Sequence, residues 1–227
     1  CVQSIVARGN SLFVLDPASP KMEGVMGEAK LYEFDLSTND LKRTYTIGHA
    51  VAPKKSYLND FRIDDHRGKV YITDSGLGGI VVLDLESGTS RRVLDRHAST
   101  KSENVTLLVD GKPFLMRGRS PKVHSDGIAL EKDGQYLYYH ALTGYQLYRV
   151  PAAALNDSHL SDSALASKVE PLGITPAPDG MIFDQRGNLY MADLERNAVA
   201  FRTPEGRMKI LVEDERIEWA SALSLDP

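Results

Sequence analysis

Four polar residues stand at equivalent places in four similar stretches of the sequence: Asn59, Asp126, Asp179 and Ser221. Each lies five positions before an acidic residue that ends a short apolar run. Carboxylate and amide oxygens are ligands that hard divalent cations prefer. If the side chains converge, Asp126 and Asp179 repel each other unless a cation or a shared proton compensates them. The pattern indicates a polar site, and the alternative is that Asp-Gly and Asn-Asp only form turns before strands.

The stretches that carry these residues are copies of an internal repeat. Each copy has a short apolar strand, a polar turn with glycine, and an aromatic-rich strand that ends near a polar residue. The complete copies are "QSIVARGNSLFVLD" (3–16), "NDFRIDDHRGKVYITD" (59–74), "SDGIALEKDGQYLYYHA" (125–141) and "PDGMIFDQRGNLYMAD" (178–193), and a fifth begins at "ASALSLDP" (220–227). The acidic residues that align them are Asp64, Glu131, Asp184 and Asp226. In the first copy, either Val2 or Gln3 matches Asn59, depending on where the alignment gap in the turn is placed.

Further strand-like runs follow the copies, such as "KLYEFDL" and "LKRTYTI" after the first, and turns with Gly, Asp, Asn and Ser separate them. Each unit therefore predicts four short antiparallel strands, which is the make-up of one β-propeller blade. A β-sandwich is the competing fold, but it does not require such a repeat. In a propeller the first strand of each blade lines the central channel, so the four aligned polar residues are expected to converge there.

We therefore predict an all-β chain that forms a single β-propeller domain over 1–227 and continues beyond both ends. The approximate blades are 1–48, 56–98, 122–173 and 176–216, with a partial blade at 217–227.

Two stretches interrupt the repeat. Residues 99–124 form a long insertion between the second and third units, which we expect to be a hairpin or a lid-like loop. Residues 151–169 are rich in Ala and Ser and predict one or two helical turns, with Ser161 as the N-cap.

Composition and motifs exclude several classes of function. The net charge is −4, the isoelectric point is about 5.9, and no dense Lys/Arg run appears, so a nucleic-acid partner is not expected. No window approaches the ~20 apolar residues of a membrane-spanning helix. A single cysteine excludes a disulfide within the chain. The sequence has no nucleophile elbow, Walker loop or dinucleotide fingerprint, and we expect "GLGG" (76–79) to form a turn.

The remaining acids and histidines have simpler expectations. Asp16, Asp74 and Asp193 each end an aromatic strand, where an Asp commonly caps the next turn. His124 lies two residues before Asp126 and is a candidate substrate contact, whereas His140 is expected to be exposed or to support the site from behind. The other histidines fall in predicted loops without ligand spacing: His49, His66, His97 and His159.

Three long stretches also indicate a family. "SYLNDFRIDDHRGKVYITDSGLGGIVVLDLESG", "DGIALEKDGQYLYYHALTGYQLYRVPAAAL" and "DGMIFDQRGNLYMADLERNAV" resemble bacterial members of the yellow/major royal jelly protein family. This resemblance implies a propeller that is six-bladed when complete and favours a secreted or periplasmic location. The family is in turn similar to the gluconolactonase/regucalcin-like propellers, which hold one divalent cation on the axis.

Carried over by position, that second similarity implies roles for individual residues. Asp179 matches a metal ligand that is also the catalytic base, Asp126 stands where those enzymes have a metal-binding Asn, and Asn59 matches a substrate-contacting Asn. Ser221 replaces an Asp that relatives often have and is a candidate substrate contact, and Val2 or Gln3 stands where they have a Glu ligand. The expected cofactor is a divalent cation, calcium first and zinc or manganese as alternatives.

These resemblances leave several functions open, each acting on a small molecule at the axis. The first is a metal-dependent lactonase with Asp179 as general base. The alternatives are a non-catalytic binding protein for an amine or a sugar, a dopachrome-tautomerase-like isomerase, and a propeller that serves as a protein-interaction surface.

Overall fold

Each complete copy of the repeat folds into the first two strands of a four-stranded antiparallel sheet. A computed structural model describes residues 1–225 of the chain. In each sheet the four strands are adjacent in the order in which they occur in the sequence. The first sheet consists of β1 (Ser4–Arg8), β2 (Ser11–Asp16), β3 (Ala29–Asp35) and β4 (Leu41–Ile47). The second consists of β5 (Leu58–Asp64), β6 (Lys69–Asp74), β7 (Ile80–Asp84) and β8 (Ser90–Val93).

A short hairpin of β9 (Leu108–Val109) and β10 (Lys112–Pro113) lies in the predicted insertion, which is therefore a hairpin with flanking loops. The third sheet follows with β11 (Ser125–Leu130), β12 (Tyr136–Ala141), β13 (Gln146–Pro151) and β14 (Glu170–Ile174). The fourth has β15 (Pro178–Phe183), β16 (Leu189–Asp193), β17 (Ala198–Arg202) and β18 (Met208–Glu213).

The alternation of side chains along the strands packs the sheets face to face in sequence order. In β6, Val70 and Ile72 join a buried cluster with the first sheet, whereas Tyr71 between them joins a cluster with the third sheet. A further cluster, which includes Tyr138 and Met191, joins the third sheet to the fourth. Sheets that pack one after another through both faces are blades, so the predicted β-propeller is confirmed, with four blades in residues 1–225.

The first strands of the second, third and fourth blades share a β-bulge near their beginning. The pairing register shifts between Leu58 and Phe61 in β5, between Ser125 and Ile128 in β11, and between Pro178 and Met181 in β15. A bulge leaves an extra residue outside the ladder and re-aims its side chain. The polar positions of the repeat lie inside these bulges, and this places them at the axis.

Two short helices connect the outer strands of the third blade, α1 (Ala152–Asn156) and α2 (Asp162–Ala166). The Ser161 hydroxyl accepts a hydrogen bond from the Ala164 backbone N–H at 3.2 Å, so the predicted N-cap is confirmed. Neither helix has the length or the apolar character needed to cross a membrane, and the same holds for every helix in residues 1–225.

The predicted partial blade contains no strand in its described part, residues 217–225. Asp226, which aligned the fifth copy, lies outside the described residues. The blade bounds, the extension of the domain beyond 1–227 and the six-blade total of a complete protein stay predictions.

Candidate functional site

The bulges open into a cavity of about 1090 Å³ on the axis. Its lining includes all four polar residues of the repeat: Asn59, Asp126, Asp179 and Ser221. Blades three and four approach closely here, because a Cβ added to Gly127 would lie 3.0 Å from the Asp179 carbonyl oxygen. The sequence alignment thus identified residues that are far apart in the chain and share one cavity.

Asn59 connects the first blade to the second and third. Its side-chain oxygen accepts a hydrogen bond from the Gln3 amide at 2.5 Å, and Gln3 in turn accepts one from the Tyr57 hydroxyl. Its Nδ2 donates to the Ser75 hydroxyl at 3.0 Å. Of the two alternatives for the first copy, Gln3 makes the axial contact, whereas Val2 is 66% exposed.

Asp126 is almost fully buried, with 3% of its surface exposed. Its Oδ2 lies 3.0 Å from the Ser75 hydroxyl, and its backbone carbonyl accepts from the Thr73 hydroxyl at 2.8 Å. Burial and then the nearby charge of Asp179 raise the pKa of Asp126 well above its ordinary value, and the hydrogen bond with Ser75 offsets this in part. The raised pKa favours the protonated form of Asp126.

Asp179 is less enclosed and has an aromatic partner. The indole N–H of Trp219 donates to Asp179 Oδ2 at 2.6 Å. Burial raises the pKa of Asp179 to about 6, Trp219 opposes the rise, and the charge of Asp60 adds to it. Asp179 is therefore mostly ionised at neutral pH.

Asp60 and Arg62 were missed by the sequence alignment, although both lie on β5 and line the cavity. Arg62 pairs with the Asp60 carboxylate at 2.8 Å and donates to the Met181 carbonyl at 2.7 Å. Ser4 also donates to Asp60, at 2.7 Å. The charge of Asp60 is thus compensated within β5, and Arg62 bridges the second blade to the fourth.

One rim of the cavity is apolar and comes from irregular segments. Trp219 packs edge-on against Phe114 of the insertion, with ring centroids 5.2 Å apart. Met22 and Met116 also line the cavity and are each more than 40% exposed. An apolar rim above two acids suits a ligand with a polar head and an apolar body.

Residues 5–226 match the profile of the family described as "Major royal jelly protein". The chain belongs to this family. The resemblance that the three long stretches indicated is therefore confirmed, whereas no curated protein matches the chain.

Solved structures show the same fold at low identity. The hydrazine synthase of Kuenenia stuttgartiensis has a TM-score of 0.58 and 10% identity, over 88% of this chain and 57% of that one. A virginiamycin B lyase from Staphylococcus aureus has a TM-score of 0.54 and 12% identity, over 92% and 55%. A regucalcin from Agrobacterium tumefaciens is more distant, with a TM-score of 0.38 and 15% identity over 92% and 72%. This family member spans about half the length of the first two structures.

His124 and His140 differ from the expectations for them. His124 does not line the cavity: its Nδ1 accepts from the Ser102 backbone N–H at 2.9 Å, and burial followed by the charge of Lys101 lowers its pKa to about 4. His140 is fully buried rather than exposed, with Nδ1 2.6 Å from the Ala141 carbonyl oxygen. A substrate contact by His124 stays a prediction that its position does not favour.

The predicted turn-capping acids do cap turns. Asp74 accepts from the backbone N–H groups of Tyr57, Gly76 and Leu77, Asp16 accepts from Ala18, and Asp193 accepts from Glu195.

The residues of the cavity supply few free ligands for a divalent cation. Asp126 and Asp179 would be its two carboxylates, but Asp60 is held by Arg62 and the Asn59 oxygen is held by Gln3. Residues 1–225 contain no group of three or more His, Cys, Asp or Glu side chains that could hold a metal ion. This donor set does not by itself complete the divalent site that the similarity to regucalcin-like propellers implied.

Proposed function

We propose that the axial cavity binds a small organic monocation, such as an amine with an aromatic or apolar body. The observation that carries the proposal is the lack of a cationic partner for two buried acids. Within residues 1–225, no Lys, Arg or His side chain forms a salt bridge with Asp126 or Asp179. An ionised carboxylate removed from water is costly unless it is paired, so a ligand cation would supply the missing charge.

The apolar rim supports the same class of ligand. A cation above the face of Trp219 or Phe114 gains a cation–π interaction, and the apolar body is removed from water by the same rings. A neutral sugar, which was the other alternative for a binding protein, carries no charge that could pair with the two acids.

The test compares 2-phenylethylamine with its neutral isostere 2-phenylethanol by titration calorimetry in the presence of a chelator. We expect the amine to bind and the alcohol to bind at least about tenfold more weakly, since hydrogen bonds to charged groups contribute about 1.5–3 kcal/mol. Asp179→Asn should remove this preference. Asp193→Asn, at the end of β16 in the same blade and outside the cavity lining, is the matched control and should keep it. Equal affinity for both compounds, or an unchanged preference in Asp179→Asn, contradicts the proposal.

The second candidate is a metal-dependent lactonase, favoured by two acids from neighbouring blades in one cavity. It predicts release of acid from aldonolactones that depends on added calcium, manganese or zinc and is lost in Asp179→Asn. The absence of metal-dependent turnover would leave the binding function as the sole candidate of the two.

A further inference from the structure

The hydrogen bonds around Ser75 indicate where the acid pair keeps its proton. The Ser75 hydroxyl accepts from Asn59 Nδ2 at 3.0 Å and lies 3.1 Å from the Ser125 carbonyl and 3.0 Å from Asp126 Oδ2. A hydroxyl has one proton to donate, so it cannot serve both the carbonyl and an ionised Asp126. If Asp126 is protonated, it donates to Ser75, and Ser75 donates to the carbonyl. This arrangement satisfies every group.

The hydrogen bond at Asp179, in contrast, favours the ionised form of the carboxyl group. An indole N–H only donates, so Asp179 Oδ2 must accept, and a donor 2.6 Å away favours an ionised acceptor. Trp219 is held in place on both sides. Its ring packs against Phe114, and Ser221 follows it where a Cβ on Gly180 would lie 2.9 Å from the Ser221 carbonyl oxygen.

Other charged groups around the pair do not change this division. Asp60 faces both acids from β5 and is paired with Arg62, and Tyr57 is a neutral phenol because burial raises its pKa. The remaining charged groups that line the cavity are Arg8, Asp64, Asp65, His66, Glu131, Lys132 and Asp184. Within residues 1–225 none of these makes a hydrogen bond to Asp126 or Asp179.

We propose that Trp219 is a positioning residue of the axial site: its indole N–H holds the single negative charge of the acid pair on Asp179, while the single proton stays on Asp126. The pair then carries one negative charge at neutral pH, which matches one monovalent cation. A divalent ion binding to both acids must release the proton of Asp126. The match to a monovalent cation rests on the proposed function. The protonation of the two acids does not, because it is a property of the protein without ligand.

The test is a ligand-free titration of aspartate-labelled protein by ¹³C NMR of the side-chain carboxyl groups, with the two signals assigned from Asp126→Asn and Asp179→Asn. At pH 8 we expect Asp179 to be ionised, with a midpoint of about 6, and Asp126 to be protonated. Because Asp126 is neutral throughout, Asp126→Asn should leave the midpoint of Asp179 almost unchanged. A fall of about one unit or more would show that the two charges interact and that the proton is not fixed on Asp126.

The variant Trp219→Phe removes the N–H donor but keeps an aromatic ring over Asp179, so it distinguishes the effect of the hydrogen bond from the effect of burial. Loss of the N–H should raise the Asp179 midpoint, whereas loss of cover admits water and should lower it. Phe114→Leu, which loosens the cover and keeps the N–H, is the control and should not raise the midpoint. An unchanged or lower midpoint in Trp219→Phe would overturn the positioning role, even if the amine binds as proposed.

A second measurement does not need the Trp219 variant to fold. Trp219 is the sole tryptophan of the chain, so intrinsic fluorescence reports on its contact with Asp179. The emission should change with pH in the wild type and in Asp126→Asn with the same midpoint, and the change should vanish in Asp179→Asn. Persistence of the transition in Asp179→Asn would refute the assignment of the charge to Asp179.

Discussion

Asp179→Asn should stabilise the fold at neutral and alkaline pH, because the wild-type site contains an ionised acid that burial disfavours. The folded-state pKa of Asp179 is about 6, against an ordinary value of 3.8. A difference of about two units, at 1.36 kcal/mol per unit, corresponds to a cost of about 3 kcal/mol for ionising this group in the folded state. The neutral amide avoids this cost and can still accept the Trp219 N–H.

The sign of the pH dependence follows from the raised pKa. Below pH 3.8 the carboxyl is protonated in both the folded and the unfolded chain, so the variant and the wild type should be equally stable. As the pH rises, the unfolded chain releases the proton first, and the wild type loses stability until the pH has passed about 6. The stability difference between the two proteins should therefore grow from about zero at pH 3.5 to about 2–3 kcal/mol at pH 8.

The assay is urea unfolding of both proteins at several pH values, with equal slopes required before the free energies are compared. Taking the difference at each pH cancels the titration of the other groups. Asp184→Asn is the control, since burial raises the pKa of Asp184 but hydrogen bonds from Asn188 and from the Arg186 backbone outweigh this and lower it. The control should be destabilised at pH 8. An Asp179→Asn protein that is less stable than the wild type at pH 8 would refute the reasoning.

Three further changes test other parts of the structure. Ser75→Ala should lower the free energy of unfolding by about 1–3 kcal/mol at pH 7, because it leaves the buried groups that meet at Ser75 without a partner, and denaturant unfolding would show this. Gly180→Ala places a Cβ 2.9 Å from the Ser221 carbonyl oxygen, so it should displace the segment that holds Trp219 and shift the tryptophan emission to longer wavelength; an unchanged spectrum would contradict that docking. Ser161→Ala removes a helix cap and should lower stability by about 1 kcal/mol in thermal unfolding, with no change in the fluorescence.

The sequence repeat was enough to predict the blades and the axial positions of Asn59, Asp126 and Asp179. It succeeded because the bulge lies at the same distance in sequence from the aligned acidic residue in each of these copies. The residue five positions before that acid therefore lies in the bulge each time. Tyr57, two positions before Asn59 and just outside β5, also lines the cavity, and a count of two back from Asn59 could have found it.

The partners of these residues could not be found in this way. Ser75 follows the end of β6, where the first and fourth copies have Pro17 and Leu194, and Trp219 lies in a segment without a strand. The repeated polar pattern therefore did not single out either residue. Asp60 was overlooked because strict alternation would direct it away from Asn59, whereas the bulge brings both to the cavity. The divalent cation was inferred from acid types alone, and pattern alignment does not show that Arg62 and Gln3 already occupy two of the oxygens.

The bond from Arg62 to the Met181 carbonyl also bears on how the molecule folds. Blades that touch only their neighbours resemble a linear array, in which each unit can open or close with little effect on distant ones. This contact joins residues 119 positions apart and skips the intervening third blade. It forms only when the second and fourth blades have both docked, so we expect this part of the cavity lining to be completed late in folding. Opening either the second or the fourth blade should therefore disrupt the cavity before the sheets themselves unfold.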